Sequence, residues 1–327
     1  MTRILVTGGG GFLGGAIVDG LVSRGEKVSS FSRGTYPTLS RMGVRQIAGD
    51  LRSPTDVRHA CKGIDAVFHV AAKAGVWGTY REYYEINYLG TRNVIDACRA
   101  EGVKRLIHTS SPSVVFTGED MAGVNESVSY PTRYHAPYPA TKALAERAVI
   151  AAADHTLSTV TLRPHLIWGP GDNHLVPRIL SRAAQLRIVG KGDNLVDTTY
   201  IDNAAAAHIL AADRLAIDPK LSGKVYFISQ GDPIALWEMV NAILKAGGLP
   251  PIRNHIPYHV AWTIGFFMEG VHRLFRLKGE PRMTRFVANE LASTHWFDIR
   301  AAREELGYIP QVSTREGLQR LSNWLGR

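Results

Sequence analysis

Only two cysteines, Cys61 and Cys98, occur in 327 residues, and each sits alone in a helix-like stretch. That scarcity excludes a disulfide framework and a cysteine-rich zinc site, and it is what a reduced, cytoplasmic chain is expected to show. Long apolar runs are missing too. The most lipophilic segment, YHVAWTIGFFMEGVHRLFRL (258–277), meets Glu269 after eleven residues and then carries basic residues. It is too short and too charged to span a bilayer. The opening MTRILVTGGGG lacks the layout of a secretory signal. Dense runs of one charge are also absent. The formal charge is +9, but the basic residues are spread along the chain without an arm or cluster. That distribution argues against nucleic acid and leaves anionic small molecules or an anionic membrane surface as partners. The spacings of His135, His165, His174 and His208 match no metal-ligand motif, so no metal is expected.

What is present is a regular alternation. RILVTG, KVSSFSR, VRQIAGD, DAVFHVAA, KRLIHTSS, STVTLRP and KVYFIS read as strands. GFLGGAIVDGLVSRG, SPTDVRHACKG, YREYYEINYLGTRNVIDACRAEG and YPATKALAERAVIAAAD read as helices between them. Ser53 and Pro54 open the second helix. Residues 112–136 read as an irregular insertion. This order predicts an α/β fold with a doubly wound parallel sheet that binds ligands at the strands' C-terminal edge. Beyond residue 229 the alternation fails and helical patterns dominate. The expected division is a dinucleotide-binding core over 1–165 and about 191–228, and a smaller, mainly helical substrate lobe over 166–190 and 229–327.

The turn VTGGGGFLGG puts Gly8, Gly11 and Gly14 at G-x-x-G-x-x-G spacing, after a strand and opening a helix. Gly8 permits the tight turn, Gly11 lets backbone approach a pyrophosphate, and Gly14 allows close packing of helix on sheet. The helix N-terminus then offers N–H groups and a positive dipole end to the phosphates. At the end of the second strand an NAD site usually carries a carboxylate for the ribose 2′-OH. Here the residues are Ser32 and Arg33. Serine does not repel a 2′-phosphate and arginine attracts one, so NADP(H) is expected rather than NAD(H). Asp50, after the third strand, is placed to contact the adenine edge.

Tyr138 and Lys142 stand four apart on one face of a helix. A phenol with pKa about 10 is a poor proton shuttle at neutral pH. A cation about 4 Å away contributes roughly 4 kcal/mol at an effective dielectric near 20, which lowers that pKa by up to about three units. The spacing thus predicts a tyrosine tuned for general acid–base work. In RLIHTSSPSVV, Ser110 and Ser111 end a strand at the ligand-binding edge, where a hydroxyl can polarise a carbonyl as hydride arrives. Asn87, on the preceding helix, either anchors a water chain that reprotonates Lys142 or satisfies a helix kink. Lys73 and Trp77, after the fourth strand, are candidates for the substrate pocket. Lys73 could there meet a carboxylate, and Arg178 is a further candidate.

With these residues in hand, the chain resembles the extended short-chain dehydrogenases/reductases, in the branch of the 3β-hydroxysteroid dehydrogenases. The likeness runs nearly end to end, through TGGGGFLG, GDL, VFHVAA, NYLGTRNV, TSSPSV, PYPATKALAE, LRPHLIWGPGD and VDTTYIDNAAAAHILA. More narrowly, AAKAGVWG, LIWGPGDNHLVPR and NLVDTTYIDNAAAAH are similar to the bacterial 2-alkyl-3-oxoalkanoate reductases of long-chain olefin biosynthesis. The resemblance implies a catalytic set of Ser111, Tyr138 and Lys142, supported by Asn87. A proline after the serines is less usual in the family, which keeps Ser113 as a second candidate for Ser111's part. It also implies a cofactor cradle of Gly8, Gly11, Phe12, Leu13, Gly14, Ser32, Arg33, Asp50, Leu51, Ala71, Ala72, Lys73, Tyr138 and Lys142. Backbone around Pro164 and His165 would meet the nicotinamide.

The expected activity is NADPH-dependent reduction of the 3-keto group of a long-chain, acidic lipid. The rivals are an NAD-dependent 3β-hydroxysteroid or sterol dehydrogenase and, from another class, a non-catalytic NADP-binding redox sensor. A homodimer through the helices at about 80–101 and 138–153 is expected from the family. In 258–277, Val260, Ile264, Phe267, Val271 and Leu274 share one helical face, and Trp262 and Phe266 another. A core-facing helix accounts for one face; the other implies contact with a long-chain substrate, another pathway enzyme or a membrane surface.

Overall fold

In the computed structural model, which describes residues 1–277 and 279–326, the β-branched and apolar runs form seven strands. These are β1 (Arg3–Thr7), β2 (Lys27–Ser32), β3 (Arg45–Ala48), β4 (Ala66–His69), β5 (Arg105–Thr109), β6 (Ser158–Pro164) and β7 (Lys224–Ile228). All pair in parallel, in the order β3-β2-β1-β4-β5-β6-β7. Parallel strands need a crossover between each pair, so helices cover both faces and the strands are buried throughout. Leu5, Val6, Val67, Phe68, Leu106 and Ile107 are accordingly sealed from solvent. The strand order reverses between β1 and β4, which opens the crevice where a doubly wound sheet receives its ligand.

The crossover from β6 to β7 holds a helix, Ile201–Ile217, that the element reading above leaves unassigned. Five of its alanines are buried together with Asn203, His208 and Ile209, while Ala206 and Ala216 are exposed. Its inward face is thus made largely of alanine and polar residues and lacks the stripe of large apolar side chains by which a surface helix is recognised. The long helix expected over 80–102 is interrupted: Tyr84–Leu89 is wound as a π-helix between Tyr80–Tyr83 and Gly90–Glu101. The helix Pro137–Ala151 is pinned to β6 by a buried pair, in which Arg163 donates to both carboxylate oxygens of Glu146 at 2.6 and 3.0 Å. Tyr130 adds a 2.5 Å hydrogen bond to the same carboxylate.

The insertion is less irregular than its sequence suggests. Met121–Val124 forms a strand that pairs in parallel with His295–Phe297, and Leu195–Val196 and Ile234–Ala235 complete a small second sheet. Segments far apart in sequence are thereby tied together beside the crevice.

The helix Tyr258–Leu274 corrects one expectation. Its buried face is Ala261, Gly265 and Glu269, with Glu269 neutralised by Arg285 at 2.8 Å. Gly265 lets the backbone of Thr284 approach so closely that a Cβ would lie 2.6 Å from it. Val260, Ile264, Phe267, Val271 and Leu274, which the core-facing reading would bury, instead point to solvent. Of the sixteen exposed large apolar side chains among the described residues, nine fall in 258–277. The cause is small-residue packing: a helix that docks through alanine and glycine leaves its large side chains outside. No helix among the described residues is long and apolar enough to cross a membrane.

Candidate active site

The glycine turn forms as its spacing requires. Gly8 adopts a left-handed φ of +73°, its N–H donates to Phe31 O at 2.8 Å, and its carbonyl accepts from Gly11 N at 2.9 Å. A Cβ on Gly14 would run into the Gly8 carbonyl. The helix Phe12–Ser23 has no side-chain cap, so its first N–H groups face the crevice unsatisfied. Across the switch point, Thr7 Oγ1 accepts from the N–H groups of Val70 and Ala71, both at 3.1 Å, and fixes the bend after β4.

These elements wall a cleft of about 620 Å³. Gly8, Gly11, Phe12, Leu13, Gly14, Ser32, Arg33, Asp50, Leu51, Ala71, Ala72, Lys73, Ser111, Tyr138, Lys142 and Pro164 all line it. Two residues expected in the constellation stand apart from it. His165 lines the adjoining cavity, of about 250 Å³. Asn87 is buried behind the wall. Its Oδ1 accepts from Lys73 N at 2.7 Å, and its Nδ2 donates to Lys73 O at 3.1 Å and to Thr141 Oγ1 at 3.2 Å. Lying in the π-helical turn, Asn87 staples the 71–73 loop to the helix that carries Tyr138. These contacts satisfy the Asn87 amide.

At the β2 end, the Ser32 hydroxyl is buried with no partner among the described residues, and Arg33 is exposed at the rim. Asp50 is less free than expected. Arg52 grips both its oxygens at 2.6–3.1 Å and, through that hydrogen bonding, holds its pKa below the ordinary range. The uncapped helix, the unpartnered Ser32 hydroxyl and the glycine cradle together fit a dinucleotide.

At the other end Tyr138 lies between the two cavities, lining both with Ser111. Ser111 Oγ accepts from Ser113 N at 3.3 Å and sits 3.0 Å from Ser113 Oγ. Of the two serines only Ser111 reaches both cavities, which separates it from Ser113. The tuning of Tyr138 differs from expectation. Lys142 Nζ does not face the phenol: it donates to Thr109 O at 2.6 Å and lies 3.5 Å from His108 Nε2. Burial pushes the Tyr138 phenol above its usual value; the Ser111 hydroxyl pulls it down and the Glu290 carboxylate pushes it further up. Burial likewise depresses Lys142 to about 8. An i,i+4 spacing shows that two side chains share a helix face; it does not show that their tips meet.

Lys73 lines the dinucleotide cleft rather than the smaller cavity, and its ammonium pairs with Glu82 at 3.0 Å. Trp77 packs edge-on to His272 and under Arg273. Arg178 does line the smaller cavity, ion-paired to Glu280. Two titratable lining residues escaped the sequence reading, Glu290 and His295. Neither belongs to a local motif, and both lie near the C-terminal end of the chain, far in sequence from Tyr138. Burial raises Glu290 to about 7.

A dinucleotide cleft that ends on a serine, a tyrosine and a buried lysine defines a nicotinamide-dependent oxidoreductase of the short-chain dehydrogenase/reductase type. The chain belongs to the 3-beta hydroxysteroid dehydrogenase/isomerase family, whose model matches residues 5–257. Among its relatives is a Stenotrophomonas maltophilia (strain K279a) protein named 2-alkyl-3-oxoalkanoate reductase. The two are 53% identical over 98% of this chain and 98% of the relative. A mouse sterol-4-alpha-carboxylate 3-dehydrogenase (decarboxylating) is 34% identical over 97% of this chain and 89% of that protein. Among solved structures, MoeE5 in complex with UDP-glucose and NAD superposes with a TM-score of 0.75 at 29% identity, covering 99% of both chains.

Proposed function

We propose that this reductase uses NADPH to convert the 3-keto group of a long-chain 2-alkyl-3-oxoalkanoate to the 3-hydroxy acid. The observation that carries the reading is the junction at Tyr138 and Ser111, the only expected catalytic side chains that line both the dinucleotide cleft and the smaller cavity. The 53% identical relative named for that activity supports the substrate class. The unpartnered Ser32 hydroxyl beside an exposed Arg33 supports a 2′-phosphate.

When bound, the nicotinamide supplies the hydride. The chain's part is to place the ketone and supply the proton. Ser111 donates a hydrogen bond to the carbonyl oxygen, and its lone pair is already engaged by Ser113 N. Tyr138, neutral because its phenol is pushed up by burial, gives its proton to the alkoxide. A phenol raised by burial keeps its proton throughout the physiological range, as an acid must, but parts with it less readily than the tuned phenol that the spacing predicts. Lys142 orders the end of β5 and stands ready for the ribose and for proton return. Consumption of NADPH and NADH, measured against 2-alkyl-3-oxo acids and 3-ketosteroids, tests the reading. Preferential turnover of 3-ketosteroids with NADH would replace it with the sterol-type rival.

A further inference from the structure

Two histidines in the smaller cavity have more contacts than protons. His165 Nδ1 lies 2.6 Å from Asp197 O, and His295 Nε2 lies 2.9 Å from Glu290 O. A carbonyl oxygen only accepts, so both nitrogens must carry hydrogen. The remaining nitrogens, His165 Nε2 and His295 Nδ1, then face each other at 3.1 Å as two lone pairs. Two neutral imidazoles bring two N–H protons to three contacts. One contact is therefore repulsive unless a third proton enters and makes the pair a monocation.

The surroundings oppose a cation on its own. Phe116 and Phe297 pack against the rings, and burial holds both histidines well on the neutral side, His165 at about 3. Of the charged groups around the pair, Asp120 favours a charge on His295, but burial outweighs it. Asp120 is hydrogen-bonded to Thr294 N, and Asp197 to Ser229 and Gly231. Arg178 is committed to Glu280. Tyr138 and His174 share the cavity without negative charge, and Glu290, raised to about 7, is only about half ionised at neutral pH. The pair thus lacks one proton for its contacts, and the charge around it is too little to hold that proton against burial.

We propose that the His165–His295 pair is the subsite for the substrate's carboxylate, taking up one solvent proton as the anion binds. This rests on the keto-acid reading above: in a 3-oxo acid the carboxyl carbon is two bonds from the ketone carbon, so a ketone held at Tyr138 and Ser111 puts its carboxylate in this cavity. The proton comes to lie between His165 Nε2 and His295 Nδ1, completing the row of hydrogen bonds from Asp197 O to Glu290 O. The ligand's negative charge balances it. Affinity for a carboxylate should fall as pH rises, because the pair takes up its proton less readily and Glu290 becomes anionic. A neutral ligand should show neither effect.

Calorimetric titration of the NADP-bound enzyme with octanoate and with octanamide, in two buffers of different ionisation enthalpy, tests this. At pH 6, where Glu290, raised to about 7, already holds its proton, octanoate is expected to take up about one proton per site and octanamide none. His295→Asn, which can still donate to Glu290 O, should abolish the uptake and weaken octanoate on the order of tenfold, with octanamide affected little. In turnover the same variant should raise KM for the keto acid far more than it lowers kcat. Octanoate binding without proton uptake, equal weakening of acid and amide, or no octanoate binding would each overturn the proposal. The titration uses no turnover, so a wrong choice of ketone in the substrate panel and a wrong assignment of the histidines give separate results.

Discussion

Tyr138 and Lys142 illustrate what separates a motif from its energetics. Spacing alone predicts a phenol depressed by its neighbouring cation; the structure shows a phenol raised by burial and a lysine turned onto Thr109 O. Tyr138→Phe should lower kcat by about 10²–10⁴, the usual worth of a positioned acid, with NADPH affinity retained in a fluorescence titration. Lys142 carries a second consequence. Its native pKa is depressed from 10.5 to about 8, so at pH 7 the fold holds a buried charge that the unfolded chain would solvate freely. Stability should rise with pH between about 8 and 10.5, where the unfolded state keeps a proton that the native state has lost. Lys142→Met should then inactivate the enzyme yet stabilise it by up to about 3 kcal/mol at pH 7, less the hydrogen bond to Thr109. Equal urea midpoints for variant and wild type would refute this. At the cofactor's far end, Ser32→Asp places a carboxylate where a 2′-phosphate is proposed. It should shift the kcat/KM ratio from NADPH towards NADH by about 10²-fold or more, through like-charge repulsion in a half-buried site.

Among the elements, Tyr258–Leu274 is where pattern and packing diverge most. Helical periodicity correctly groups Val260, Ile264, Phe267, Val271 and Leu274 on one face, but periodicity carries no sign, and the face is outward. The inward face is small, and its partner, Thr284, cannot yield. Its hydroxyl accepts from Val287 N at 3.1 Å, and the next N–H, of Arg285, donates to Glu269 at 2.8 Å. Gly265→Ala should therefore cost about 1–3 kcal/mol by overpacking, more than the helix propensity it gains. Phe267→Ser, on the large exposed face, should stay within about 0.5 kcal/mol. Thermal unfolding of the pair checks the assignment, and the reverse order would show that the stripe is packed after all. The strands and the glycine turn were legible because each is specified within some ten residues of sequence. The 201–217 helix, the 121–124 strand, Glu290 and His295 were not. Their identity depends on partners roughly a hundred residues or more away, or on a buried face built of alanine and polar residues, and local sequence records neither. Asn87 falls between: its helix was legible, but the π-turn that makes it a staple was not.

For the molecule as a whole, the distribution of histidine sets an acid limit on stability. His69, His165 and His208 are buried in the fold, with burial the first cause of native pKa values near 3, 3 and 4. His108 is lowered in the same way, with Lys142 adding to the effect. His69 is held neutral by Thr7 at 2.8 Å and Thr91 at 2.9 Å, and His208 by Thr109 at 2.9 Å. In the unfolded chain each titrates near 6.5. Below that value the unfolded state binds protons that the native state refuses, so stability is intact above about pH 6.5 and is lost as pH falls towards 3–4. Each group contributes about 1.36 kcal/mol per pH unit across this window. By pH 4.5 the three together cost roughly 8 kcal/mol, comparable with the 5–15 kcal/mol that typically holds a domain together. The exposed ion pairs add little, since solvent screens them. Urea unfolding followed from pH 7.5 to 4.5 should show a steep loss that begins near 6.5, with about four protons taken up on unfolding at pH 5, one each by His69, His108, His165 and His208. His208→Asn, which can still bridge Thr109 and Ala204, should shed about one of those protons. A stability plateau from pH 7.5 down to 5 would mean that the buried histidines open to solvent and accept protons without unfolding.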